Sequence, residues 1–112
     1  MINQKFNLMR IFETIDKSGR KIYLTKERLL HIQKHPYMHN SLDKIKETLS
    51  KPNKIIPESR KHLYFRYYKE LNQYLLIAVK YLNGEGFIIT AYYVRNLKWL
   101  EFIFIMMKNE II

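Results

Sequence analysis

Residues 86–95 read Gly-Phe-Ile-Ile-Thr-Ala-Tyr-Tyr-Val-Arg, and the fold follows from how this stretch is placed. Its density of β-branched and aromatic side chains predicts a strand. The two-residue period of a strand then puts Thr90 and Tyr92 on one face and Ile89, Ala91 and Tyr93 on the other. Working upstream, Asn83-Gly84-Glu85-Gly86 reads as a hairpin turn, residues 74–82 as a second strand, and residues 62–69 as a third across the separator 70–73. In the third run His62, Tyr64, Arg66 and Tyr68 share a face opposite Leu63, Phe65 and Tyr67; in the second, Leu75, Ile77 and Val79 oppose Leu76, Ala78 and Lys80. Matching the apolar sets predicts Arg66, Lys80, Thr90 and Tyr92 on one side of the sheet, a register that a one-residue slip or a bulge would overturn.

The N-terminal half carries different punctuation. Residues 6–15 and 20–24 are strand-like on either side of Asp16-Lys17-Ser18-Gly19, which predicts a β-hairpin with Gly19 at positive φ. Thr25 offers an N-cap oxygen and Glu27 a first-turn negative charge, so a helix is expected over residues 26–34, stopped by Pro36. Ser41 is a second N-cap candidate, followed by Leu42, Ile45 and Leu49 at helical spacing with Lys44, Lys46 and Glu47 outward. Lys51-Pro52-Asn53 ends that helix, and Ile55-Ile56-Pro57 reads as a short extended piece confined by its proline to an edge or a strand end. The order of elements predicts one α+β domain over residues 1–112: an N-terminal β-hairpin, two helices packed on one face of a twisted antiparallel sheet, and a C-terminal apolar element.

Composition narrows the functional classes. The 112 residues, 47% hydrophobic, suffice for one domain with a real core. Twenty Lys plus Arg against ten Asp plus Glu leave a formal charge of +10, which favours polyanionic partners. There is no cysteine, which excludes a disulfide framework, a Cys-based zinc site and a Cys nucleophile. The opening Met-Ile-Asn-Gln-Lys-Phe lacks the apolar run of a signal peptide, and no stretch reaches the roughly 18 apolar residues of a spanning helix. A cytoplasmic protein with no membrane partner is therefore expected. The most apolar window, residues 99–107, is interrupted by Glu101 and reads as a terminal core or interface element.

The chemistry-bearing residues are few. His31 and His35 lie four apart at the end of the first predicted helix, on one face, and imidazole is the natural proton shuttle near neutral pH. The segment His31-Ile32-Gln33-Lys34-His35 lacks the Glu of a zinc helix motif, so neither a metal nor another cofactor is expected; the bland reading is that the histidines pack or cap the helix end. Arg66 can clamp phosphate with its planar fork, whereas Lys69 and Lys80 can neutralise it as point charges. Tyr64, Tyr68 and Tyr92 can stack on unpaired bases or donate through their hydroxyls, although strand tyrosines commonly serve packing. No Ser-His-Asp set, phosphate-cradling glycine loop or dinucleotide fingerprint is present, and the scattered carboxylates weigh against a two-metal nuclease. What remains fits metal-independent RNA cleavage, in which a ribose 2′-OH attacks the adjacent phosphorus while imidazole moves protons and cations stabilise charge.

Several segments resemble a known family. Leu24-Thr25-Lys26-Glu27-Arg28 with His31 and His35-Pro36, then Ile45-Lys46-Glu47-Thr48-Leu49 and Lys51-Pro52, look like the N-terminal half of the BECR group, which gathers barnase, EndoU, colicin and RelE-like nucleases. Tyr67-Tyr68-Lys69, Tyr74-Leu75 with Val79-Lys80, and the run from Asn83 to Tyr92 match it as well, closest to the phage-associated subgroup. The resemblance implies helices on an antiparallel sheet, metal-free RNA cleavage, and often service as the toxin of a toxin and antitoxin pair, with RNA and a small antitoxin protein as partners. By motif position it implies catalytic roles for His31 and His35, with Arg66, Lys69, Thr90 and Tyr92 at the sheet. Two rival readings stand beside it: a non-catalytic RNA- or DNA-binding module on the same basic sheet, and a protein-interaction unit whose apolar residues 99–112 bury against an antitoxin or a second copy in a homodimer.

Overall fold

The run Leu75-Leu76-Ile77-Ala78-Val79 is apolar on both strand faces, and none of its residues is more than 5% exposed. Such a strand belongs inside a sheet. In the computed structural model, which describes residues 9–57 and 60–96, β5 (Gln73–Leu82) lies between β4 (Lys61–Tyr68) and β6 (Glu85–Val94), antiparallel to both. Leu82 pairs with Glu85 across Asn83 (φ 54°) and Gly84 (φ 81°), the two-residue turn with positive φ at both positions whose twist suits a hairpin. Beyond β4 lies β3 (Lys54–Pro57), an edge strand that tolerates Pro57. On the other side β6 meets β2 (Lys21–Thr25), and β1 (Arg10–Ile15) forms the far edge, giving the order β1-β2-β6-β5-β4-β3.

The expected all-antiparallel sheet is corrected at one contact. β1 and β2 pair antiparallel, but β2 runs parallel to β6, through Ile22 with Gly86 and Tyr23 with Phe87. No hairpin links β2 to β6, because the chain passes straight from β2 into a helix, so turn geometry does not dictate their relative direction. A Cβ on Gly86 would come within 2.9 Å of both Tyr81 and Val79 and 3.0 Å of Ile22, so only glycine admits β2 and β5 this closely on either side of β6.

Helix α1 (Lys26–Ile32) starts as its sequence demands, with Thr25 Oγ1 accepting from Arg28 N at 3.3 Å and Glu27 in the first turn. It ends before residue 34: Lys34 N donates to His31 O and His35 N to Ile32 O, tightening the chain into a turn ahead of Pro36. Helix α2 (Leu42–Ser50) lacks the expected side-chain cap, since Ser41 Oγ donates instead to Met38 O at 2.7 Å. Both helices cover one face of the sheet, where Ile32, Met38, Ile45 and Leu49 pack onto Tyr64, Leu75, Ile77, Val79, Ile88 and Ala91. A smaller cluster of Leu63, Phe65, Leu76, Ala78 and Val94 occupies the opposite face. The apolar residues 99–112, and with them the expected C-terminal element and homodimer surface, lie outside the described residues. Among the described residues no helix is long and apolar enough to cross a membrane.

A β-bulge decides which residues share a face. Ala78 pairs with Thr90 but Val79 with Ile88, so Ile89 is an extra residue in β6. Ile88 and Ala91 thus both reach the helix-covered core, while Ile89 packs with Tyr92 against the opposite cluster rather than with Ala91 as strict alternation predicts. The rows across the sheet also separate Arg66 from the hydroxyls: Arg66 pairs with Leu75 and Leu75 with Tyr93, on the helix side, whereas Thr90 and Tyr92 pair with Ala78 and Leu76 on the other. The apolar matching failed here because Tyr64 and Tyr68 belong to the core despite their hydroxyls.

The Tyr64 hydroxyl is satisfied by a buried carboxylate. Asp16, at the end of the β1–β2 hairpin and 5% exposed, accepts from Ser18 N (2.9 Å), Ser18 Oγ (2.7 Å), Arg20 N (2.9 Å), Tyr64 OH (2.7 Å) and Tyr81 OH (3.2 Å). Arg20 Nη2 adds an ion pair at 3.4 Å, and Gly19 (φ 91°) makes the turn that lets the chain wrap the carboxylate. Burial alone would raise the Asp16 pKa, but the hydrogen bonds from Tyr64, Ser18 and Arg20, with the Arg20 charge, outweigh it and hold the group at about 2. A folded pKa below the unfolded one means stability that is complete above about pH 4 and drains away as pH falls toward 2. Asp16→Asn is expected to cost about 2 kcal/mol at neutral pH and to flatten this acid limb. Urea denaturation of both proteins across that pH range checks it.

Candidate active site

Pairing between β2 and β6 stops at Phe87, so among the described residues the outer edge of β6 beyond it has no strand partner. The turn that follows α1 comes up against this part of β6, His35 meeting Thr90 and Tyr92. His31 sits in the last turn of α1, exposed. The tight turn after Ile32 swings His35 toward β6, and Met38, 1% exposed, anchors the segment in the core. His35 Nε2 lies 3.5 Å from Thr90 Oγ1, and its ring centroid is 5.3 Å from that of Tyr92 and 5.6 Å from that of His31, to which it stands nearly perpendicular.

The electrostatics of this group favour neutral side chains. Burial lowers the His35 pKa, and the neighbouring His31 lowers it further, so His35 is an unprotonated base at neutral pH. Burial raises the pKa of Tyr92, and burial together with the Glu70 charge raises that of Tyr93; both phenols keep their protons and can donate. A cleft of about 260 Å³ opens here, formed by His35, Pro36 and Tyr37 from the turn, Tyr92, Tyr93 and Arg95 from β6 and its end, and Gln73 at the start of β5. Its lining contains one full positive charge and no carboxylate. Among the described residues, no group of three or more His, Cys, Asp or Glu side chains is placed to hold a metal ion.

Of the residues singled out from sequence, the structure gathers His31, His35, Thr90 and Tyr92. Arg66 is held elsewhere: Nη1 donates to Lys51 O at 2.6 Å and Nε lies 3.5 Å from Glu47 Oε1, which ties β4 to the end of α2. Tyr64 is fully buried, so its ring has no face free for a base, and Tyr68, 6% exposed, is likewise core. The Tyr68 hydroxyl bonds Glu47 Oε1 (2.9 Å) and Lys44 O (3.0 Å) and its pKa is pushed up to about 12, chiefly by burial. Lys69 is exposed in the turn just before Gln73, at the cleft's end of β5, whereas Lys80 is exposed at the other end of that strand. His62 also stays apart, its ring 4.8 Å from that of Tyr81 beside the Asp16 network.

Arg95, Gln73, Tyr37 and Tyr93 line the cleft without having been among the sequence candidates, Tyr93 because strict alternation puts it on the face opposite Tyr92. Arg95 closes the very stretch that organised it, but a strand-end arginine carries no periodic signal. Gln73 was read as part of a turn. Tyr37 follows Pro36 and adopts φ 65°, which costs a bulky residue on the order of 1–3 kcal/mol, and no spacing rule announces that. Within this site, His35 is expected to titrate below the ordinary histidine range, and His31→Ala to raise its pKa by removing the repelling charge. Following the ring proton shifts of His35 by NMR over a pH series in both proteins measures the two effects.

In comparison with protein families, the model described as phage-Barnase-EndoU-ColicinE5/D-RelE like nuclease2 matches residues 4–103. No curated protein and no solved structure matches the chain.

Proposed function

The chain belongs to this phage BECR-like nuclease family, and from that premise we propose that it is a metal-independent endoribonuclease whose reaction takes place where His35 meets Thr90 and Tyr92. The convergence of a neutral imidazole with two strand side chains carrying hydroxyls, beside an arginine, is the observation that supports this reading. His35 takes the proton from a ribose 2′-OH, whose oxygen attacks the adjacent phosphorus. The bond from phosphorus to the 5′-oxygen breaks, leaving a 2′,3′-cyclic phosphate, and His31 supplies the proton to the departing oxygen. Thr90 and Tyr92 orient the phosphate through hydrogen bonds, and Arg95 takes the role first assigned to Arg66, its fork facing charge that builds on the phosphoryl oxygens. Lys69 adds a point charge near the same end of the sheet. A bell-shaped dependence of rate on pH follows from one imidazole acting as base and one as acid.

In this reading the protein is the toxin of a toxin and antitoxin pair, or else a mobile-element or defence nuclease, acting on cytoplasmic RNA, and as a toxin it is restrained by a small antitoxin protein. The formal charge of +10 supports a polyanionic substrate.

Incubation with single-stranded and structured RNA in EDTA tests the proposal. Cleavage to cyclic phosphate ends is expected, with His35→Ala lowering kcat/KM by about 10²–10⁴-fold and Arg95→Ala by about 10²-fold. Absence of cleavage, or full activity in the His31→Ala, His35→Ala double variant, refutes it.

A further inference from the structure

Tyr37 is 67% exposed, more than any other large apolar side chain among the described residues. Its backbone sits at φ 65°, a conformation that a non-glycine residue keeps only where the surroundings impose it. Its ring is not scattered at random on the surface: it borders the His35 cleft and stands 6.5 Å from Tyr93 at 77°, so that the two rings form a corner. A lone surface aromatic needs no explanation. One that is strained, exposed and set at the rim of a cleft beside the proposed chemistry does.

We infer that Tyr37 is the stacking platform of a base-binding subsite, which holds one unpaired nucleobase of a single-stranded RNA next to the reacting phosphate. The inference rests on the reading of the cleft as an RNA site and adds how the strand is held there. At about 260 Å³ the cleft is smaller than the roughly 300–1,000 Å³ of drug-sized pockets and takes a single ring system. The phenol of Tyr37 supplies a π-face, and the amide of Gln73, another lining residue, offers both a donor and an acceptor to the edge of a base. Arg95 in the same lining meets the phosphate that follows the base. A base in a duplex has both faces covered and cannot use such a platform, so the subsite selects single strands or bases splayed out of loops.

The test uses non-cleavable 2′-O-methyl oligonucleotides carrying one 2-aminopurine, a base whose fluorescence is quenched on stacking, with the full-length protein. Wild type is expected to quench the probe, and Tyr37→Phe to bind like wild type because the ring face is kept. Tyr37→Ala should bind about tenfold more weakly and quench less. Tyr37→Gly should bind equally weakly while melting at the same or a higher temperature than wild type, since glycine relieves the positive φ. Loss of binding without any loss of melting temperature is a signature that a purely structural role cannot produce. An abasic nucleotide at the probe position should erase the difference between wild type and Tyr37→Ala. Unchanged binding and quenching in Tyr37→Ala, or a loss equal in Tyr37→Phe, overturns the subsite. These arms are separate from the cleavage assay: an RNase that ignores Tyr37 refutes only the subsite, and Tyr37-dependent quenching by a protein that cleaves nothing refutes only the nuclease.

Discussion

β2 touches β6 through two residue pairs and then leaves it, because Thr25 begins a helix where a longer strand would have continued the ladder. This early departure is the constraint on which the site depends. Gly86 lets Ile22, Val79 and Tyr81 close over the start of β6, so the strand is gripped at one end and free at the other. The free edge would be a liability if it faced solvent or another chain, as unpaired strand edges recruit further strands. Instead the turn after α1 lies against it, so that His35 comes beside the hydroxyls of the strand and His31, in the last turn of the helix, beside His35. Short parallel pairing and the geometry of the candidate site are two views of one arrangement.

The grip at the other end relies on a buried charge. Asp16 is held by two tyrosines from β4 and β5 and by the turn of its own hairpin, and Lys17 N donates to Leu49 O, which adds α2 to the same knot. Hydrogen bonds to an ionised acceptor are about twice as strong as neutral ones, and a carboxylate with this many donors offsets its desolvation. The network lies at the far end of the sheet from the cleft. It fixes the position of β2, and hence of α1, without contributing a titrating group to the chemistry.

Local signals were legible in the sequence and non-local ones were not. The Thr25 cap, the Asn83-Gly84 turn and the positive φ of Gly19 are set by residues within a few positions of one another, and each occurs where its sequence places it. His31, His35, Thr90 and Tyr92 could be named because a helix end and a strand face each have a period. Which face the helices would cover was a different matter, for tyrosine is apolar enough for a core and polar enough for a surface. Tyr64 and Tyr68 went inside once Asp16, Glu47 and Lys44 O were there to bond their hydroxyls, and Arg66 went with them. The arginine at the cleft, Arg95, comes from a position that no alternation or capping rule distinguishes.

Ile89 gives the site an unusual kind of fragility. One surplus residue in β6 allows Ile88 to face the core before it and Thr90 to face His35 after it, although a regular strand would send both the same way. The hydrophobic demand of the fold and the polar demand of the site are written in two phases, and the bulge is the phase shift between them. Substitutions in β6 change one side chain at a time, but a one-residue deletion would cancel the shift and exchange inside for outside along half the strand. The arrangement of this stretch therefore depends more on its length than on any one of its side chains.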